Sequence, residues 1–272
     1  MLTSFREYML KMPGKRVTVR QATRSTIPRL LVGDHHTAST ALHPLKYQAI
    51  LRPWPAFRMD VQAMDAAMRW SNRTVHYTES SRHLDEEIVH VGDEHGVQGR
   101  FQQSVGSVIG HVCAAQGIDI HFADFKCIGS PYTNIPDVIL KSTHNELKAV
   151  GEIKVPWIKE HSLILRSDDE EELREILAQP IRYMQDLNCM YGFLSTYDET
   201  IFLRQRDVHG TWRVEYSEVV KRYDSPEISL ATHNFQAVSV RQCFLYFATI
   251  ASQQGPVFNS TPKVQWVKRV TI

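Results

Sequence analysis

Cysteine is scarce and scattered in this chain: Cys113, Cys127, Cys189 and Cys243 are the only four, and no two form a CxxC pair. That spacing argues against a zinc ribbon and against a disulfide scaffold. It reads as reduced, mostly buried thiols in an intracellular protein. Net charge is lacking too. At +1 the chain is no uniformly basic coat for DNA, although a phosphate-binding groove needs only a few well-placed cations. No apolar run approaches the length of a membrane span, and no signal-peptide core follows the start, so no membrane contact is expected. The thirteen histidines include His35, His36 and His43, but no second cluster at ligand spacing accompanies them. They read as loop residues.

What is present is ordinary for a globular protein. The 272 residues are 43% hydrophobic and 22% charged, enough for one sizeable domain or a domain with an appended arm. The first 33 residues stand out: Arg6, Lys11, Lys15, Arg16, Arg20, Arg24 and Arg29 face only Glu7, a local charge of +6. Such a segment fits an organelle transit peptide, a nucleic-acid-touching arm or a disordered tail, and a disordered or loosely docked arm is the first expectation. Residues 1–90 are expected as this basic arm and its extension, and 91–272 as the main domain. The compartment expected is nucleus or cytoplasm, or the mitochondrion if the basic start is a transit peptide.

Within residues 34–60, Arg52-Pro-Trp-Pro55 forbids regular helix. A short amphipathic helix is expected over 60–70, and a polar connector over 71–90. From Glu94 to Ala115 the residues Val97, Phe101, Val105, Val108, Ile109 and Val112 form one helical stripe. Alternation predicts strands over Ile118–Phe122, Pro136–Lys141 and Glu146–Val155, with Ser142–Asn145 as a hairpin turn. Ser167-Asp-Asp-Glu170 reads as a capping box for a helix carrying Leu173, Ile176, Leu177, Ile181, Met184 and Leu187. Pro180 kinks that helix or restarts it at a first-turn position. Strands over 191–196, 200–205 and 211–216 follow, with turns at 197–199 and 207–210, then a helix beginning at Ser239.

Chemistry concentrates in Asp137 and the run Gly151-Glu152-Ile153-Lys154. Side chains alternate along a strand, so Glu152 and Lys154 share one face while Ile153 points to the core. If the strand beginning at Asp137 pairs with this one, two carboxylates and an ammonium converge. Such a group suits Mg²⁺, which takes one or two carboxylates and keeps several waters. Taken singly the pieces are weak, since Glu-x-Lys is usually a solvated ion pair. The ordered set carries the reading.

Pro136-Asp137 followed by Glu152-Ile153-Lys154 resembles the signature of the PD-(D/E)XK nuclease superfamily. The resemblance implies an α/β fold with a restriction-endonuclease-like αβββαβ core, a mixed central sheet flanked by helices. Gln179-Pro-Ile-Arg-Tyr183 resembles the QxxxY motif of RecB-like members, although Pro180 departs from an ordinary helix there. Glu94, with Asp93 as its alternative, resembles the additional acidic ligand of many members. The segments Gly151–Trp157 and Tyr191–Leu203 are similar to a group of fungal proteins ascribed this fold. The resemblance implies Asp137, Glu152, Lys154, Gln179 and Tyr183 as catalytic residues, and Glu94, Asp137, Glu152 and Ile153 as the metal set. It implies Mg²⁺, or Mn²⁺ in its place, as cofactor. Nucleic acid, with DNA first, is the expected partner, and a homodimer one assembly. Lys148, Lys159, Arg182, Arg204 and Arg206 are candidates to meet phosphates, and Trp157 to stack on a base. The expected function is hydrolysis of phosphodiester bonds. The alternative is a catalytically inactive module that keeps the fold to bind nucleic acid or a protein.

Overall fold

The computed structural model describes residues 16–39, 42–76, 89–226 and 237–270. Its centre is an eight-stranded mixed sheet. The strands are β1 (Ile50–Pro53), β2 (His121–Ala123), β3 (Val138–Lys141), β4 (Leu147–Ile153), β5 (Tyr191–Ser195), β6 (Glu199–Val208), β7 (Thr211–Tyr216) and β8 (Val220–Lys221). They lie in the order β1-β7-β6-β5-β4-β3-β2, with β8 also on β6. Neighbours are antiparallel except β4 with β5 and β1 with β7. Pro53 ends an edge strand, a position where a missing N–H is tolerated.

Period-2 alternation divides the two cores. On β4, Ala149 and Ile153 face one apolar cluster while Val150 faces the other. The first cluster lies under α1 (Val19–Arg24), α2 (Phe57–Ala67), α3 (Glu94–Phe101), α4 (Val108–Gln116) and α8 (Val240–Ser252). The second lies under α6 (Glu170–Ile176) and α7 (Ala178–Asp186), which follow the short α5 (Leu163–Ser167). From residue 94 to 195 the order is therefore helix, three strands, helices, strand.

Several elements differ from the sequence-based expectation. The loosely docked arm is, from residue 16 onward, part of the core: Val19, Ala22, Ile27 and Leu30 are buried in the same cluster as Val97 and Phe244. Arg20 and Arg24 of α1 pair with the buried Asp65 of α2, at 2.8 and 2.7 Å. Residues 1–15, and most of the 71–90 connector, lie outside the described residues.

The expected helix over 94–115 is two α-helices joined by a π-helical stretch, Gln102–Ser107. The strand expected over 118–122 sits later, at His121–Ala123, because Gly117 in the left-handed region (φ 72°) ends α4 just before it. Ser167 does not cap the following helix. It closes α5, and Asp169 caps α6 by accepting from Glu171 N at 2.7 Å and Glu172 N at 3.3 Å. Pro180 realises the restart: α6 stops at Ile176, and Pro180 falls in the first turn of α7. The expected turn at 207–210 tightens to His209-Gly210, both at positive φ, which suits a two-residue hairpin loop. Among the described residues no helix is long and apolar enough to cross a membrane.

Candidate metal centre

The hairpin β3–β4 sets the geometry. Its turn closes through Ser142 N donating to Glu146 O (2.9 Å) and Asn145 N to Ser142 O (3.1 Å), with Asn145 at φ 62°. The register pairs Val138 with Gly151 and Ile139 with Val150. One step further lies Asp137 opposite Glu152, and Asp137 Oδ2 accepts from Ile153 N at 2.8 Å. Both carboxylates therefore sit on one side of the sheet. Gly151 is required between them, since a Cβ there would overlap the Phe193 ring on β5. On the other side of β4, Lys154 N donates to Ser195 O at 2.9 Å and fixes Lys154 just past the strand end.

From this base the side chains converge. The Lys154 ammonium lies 2.5 Å from Glu152 Oε1 and 3.6 Å from Glu94 Oε2. Glu94 opens α3 behind its N-cap, Asp93, whose carboxylate accepts from Gly96 N at 2.8 Å. The ambiguity between the two acids is thereby resolved in position: Asp93 caps and Glu94 faces the cluster. One turn along, the Gln98 amide donates to the Asp137 carbonyl and ties α3 to the start of β3. One carboxylate oxygen from each of Glu94, Asp137 and Glu152 lies within 4.8 Å of the others.

The donor set fits a divalent cation. All three groups offer hard oxygen atoms, the kind Mg²⁺ and Mn²⁺ prefer. Glu152 is 2% exposed, and its Oε2 is buried with no hydrogen-bond partner, an acceptor left over for a ligand not made of protein. Electrostatics agree. Burial, then the Asp137 charge, pushes the Glu152 carboxyl up to about 8. Burial, with the Glu94 charge adding to it, pushes Asp137 up to about 6 against the Ile153 N–H. Burial alone would lower the Lys154 ammonium, but Glu152 and Glu94 more than offset it and hold it above its ordinary value. Three carboxylates crowded around one ammonium are short of positive charge.

The remaining expected residues are placed as follows. Ile153 is fully buried and faces the opposite core, so only its main-chain carbonyl is available to a cation. Gln179 and Tyr183 lie on α7, both buried, and the Gln179 amide donates to Tyr183 Oη at 2.7 Å. Burial, with the Glu152 charge, raises the Tyr183 phenol. Among the phosphate candidates, Lys148 is engaged by Glu146 (3.1 Å) and Gln254 O (2.9 Å). Arg204 and Arg206 share Glu215, and Arg204 pairs with Tyr191 at the start of β5 rather than with its end beside Glu152. Lys159 is exposed. Trp157 Nε1 donates to Thr37 O at 2.8 Å beside the His36 ring, so it braces a loop.

Two residues near the cluster carried no sequence signal. Gln98 is one, for a glutamine one turn into a helix is unremarkable. The other is His161, buried, with Nδ1 3.2 Å from Val155 O and Nε2 without a partner. The carbonyl assigns the proton to Nδ1. Burial holds this imidazole below its ordinary value, and the Lys154 charge adds to that. No family model matches the chain, and neither a curated protein nor a solved structure matches it.

Proposed function

We propose that the chain is a metal-dependent nuclease that hydrolyses phosphodiester bonds of nucleic acid, DNA foremost. The observation that carries this reading is the convergence of Glu94, Asp137 and Glu152 around the Lys154 ammonium at one sheet end. The element order from α3 to β5 supports a restriction-endonuclease-like core, and the resemblance to PD-(D/E)XK nucleases supports the assignment of roles. A divalent cation, which Glu94, Asp137 and Glu152 would hold, would supply Lewis-acid polarisation of the phosphate and a lowered pKa for water beside it.

The chain's own residues supply the rest. Asp137 is oriented by the Ile153 N–H on Oδ2, which leaves Oδ1 for the cation. Lys154 has three donors. Two are turned to Glu152 and Glu94, and the third is free to orient a water or meet a phosphate oxygen whose charge grows in the transition state. Gln179 and Tyr183 stiffen the helix that backs this face.

The test is direct. Incubated with supercoiled plasmid and with linear duplex, the protein should cut in Mg²⁺ and be silent in EDTA. Intact substrate under every metal condition would overturn the reading. The inactive-module alternative draws on one observation, that Lys154 is paired with Glu152 at 2.5 Å.

Cation binding is also linked to protons. Glu152 and Asp137 are raised in the fold, so their protonated forms favour the metal-free folded state. That contribution is full below the ordinary carboxylate range and is lost as pH rises through about 8, where Glu152 ionises. A cation must displace the Glu152 proton, so near neutral pH about one proton should leave per ion bound. Mn²⁺ calorimetry in buffers of different ionisation enthalpy reads this number. It should fall toward zero at pH well above the Glu152 value, and a release that ignores pH would contradict the assignment of Glu152 as ligand.

A further inference from the structure

We propose that Arg182 forms a phosphate-binding position for the nucleic-acid strand at the rim of the carboxylate cluster. This rests on the nuclease reading of that cluster and adds a residue to it.

Arg182 lies on α7 between Gln179 and Tyr183 and is half-buried. Its Nε is shielded from solvent and has no acceptor, and among the described residues no carboxylate forms an ion pair with its guanidinium. The partner one turn along, Asp186, is occupied: Tyr132 Oη donates to it at 2.7 Å, and Lys263 holds its other oxygen. Other arginines of similar burial are paired, Arg174 with Glu170, Arg204 and Arg213 with Glu215, and Arg222 with Asp198. A partly desolvated guanidinium with no counter-charge is costly, and an arriving anion removes that cost.

Its place explains which anion. The guanidinium stands 5.8 Å from the Tyr183 ring, whose hydroxyl is bound by Gln179. The Tyr183 phenol feels the charges of Glu152 and Asp137 as well as that of Arg182. The helix that carries Arg182 packs against β4, the strand that carries Glu152. Arg182 is thus beside the acidic centre without being spent on it. A phosphodiester strand with one phosphate at the carboxylates has a neighbouring phosphate to place, and a planar two-donor fork is the group that grips it.

The experiment measures binding of a short fluorescein-labelled DNA duplex by anisotropy, in Ca²⁺, over a series of KCl concentrations. Arg182→Gln should weaken binding by about tenfold and flatten the log–log salt slope by about one, the signature of one lost phosphate contact. Arg182→Lys should keep the slope and lose part of the affinity, because an ammonium lacks the fork. Mn²⁺ affinity of Arg182→Gln should equal that of the unmodified protein, which shows an intact centre. Unchanged affinity and slope in Arg182→Gln would overturn the assignment, while Mg²⁺-dependent cleavage by the unmodified protein would leave the nuclease reading standing. Parallel loss of Mn²⁺ affinity would also overturn it, by showing a structural role. An unmodified protein that neither binds nor cuts the duplex removes both.

Discussion

In Lys154→Ala, Mg²⁺-dependent cleavage of duplex DNA is expected to fall by about 10³-fold, the scale on which losing a preorganised charge-stabilising donor acts. The side chain is buried, so its ammonium lies where water screens little, and among the described residues no nearby lysine can replace it: Lys148 is held by Glu146 and Lys159 is exposed. Metal binding should survive. Removing a cation from among three carboxylates lowers the competition for them, so Mn²⁺ affinity is expected to hold or rise. The pairing of lost cleavage with retained Mn²⁺ binding separates a chemical role from a structural one. Plasmid nicking at the unmodified rate would end the assignment of Lys154 to the reaction. Loss of Mn²⁺ binding together with activity would make it a scaffold residue.

The second large effect runs in the opposite sense. Glu152→Gln should make the metal-free protein more heat-stable and abolish its stabilisation by Mn²⁺. Glu152 is buried beside Asp137, and its Oε2 lacks any partner. A glutamine keeps the shape and can still accept from Lys154, but carries no charge to desolvate. In EDTA above the pH where Glu152 ionises, the midpoint of thermal unfolding should rise by a few degrees. In excess Mn²⁺ the unmodified protein should gain stability by mass action, and the variant should gain almost none. A trade of stability for a working charge cluster is what a functional site looks like energetically. Equal Mn²⁺-induced shifts in both proteins would show that the cation, if any, binds elsewhere.

Legibility of the sequence followed the strength of local signals. The hairpin was readable because Val138, Leu140, Ala149 and Ile153 alternate with residues of the other core, and Ser142–Asn145 is polar between them. That alternation, once the two strands pair, places Asp137 and Glu152 on one side. The N-terminal segment misled for a different reason. Its arginines look solvent-bound in sequence, but two of them pair with Asp65, a partner more than forty residues away, and no local pattern encodes that. Ser167 matched a capping box, yet Asp169 offers a carboxylate nearer the helix start and took the role. The π-helical stretch over 102–107 is likewise invisible to an apolar stripe, because the stripe still reads as helix. It serves distant groups instead: Arg241 Nε donates to Ser104 O, and Tyr197 Oη to Ser104 Oγ. His161, Gln98 and the unpaired state of Arg182 depend on tertiary neighbours and so appear only in three dimensions.

The sheet's outermost pairing constrains how the chain assembles. Ile50 lies alongside Arg213 and Pro53 alongside Tyr216, so a strand made early must wait for one made much later in synthesis. Contacts this remote in sequence form slowly, because a long loop must close before they give any return. A nascent chain that stops short of residue 216 leaves the backbone groups of Ile50–Pro53 uncovered and open to pairing with a neighbouring polypeptide.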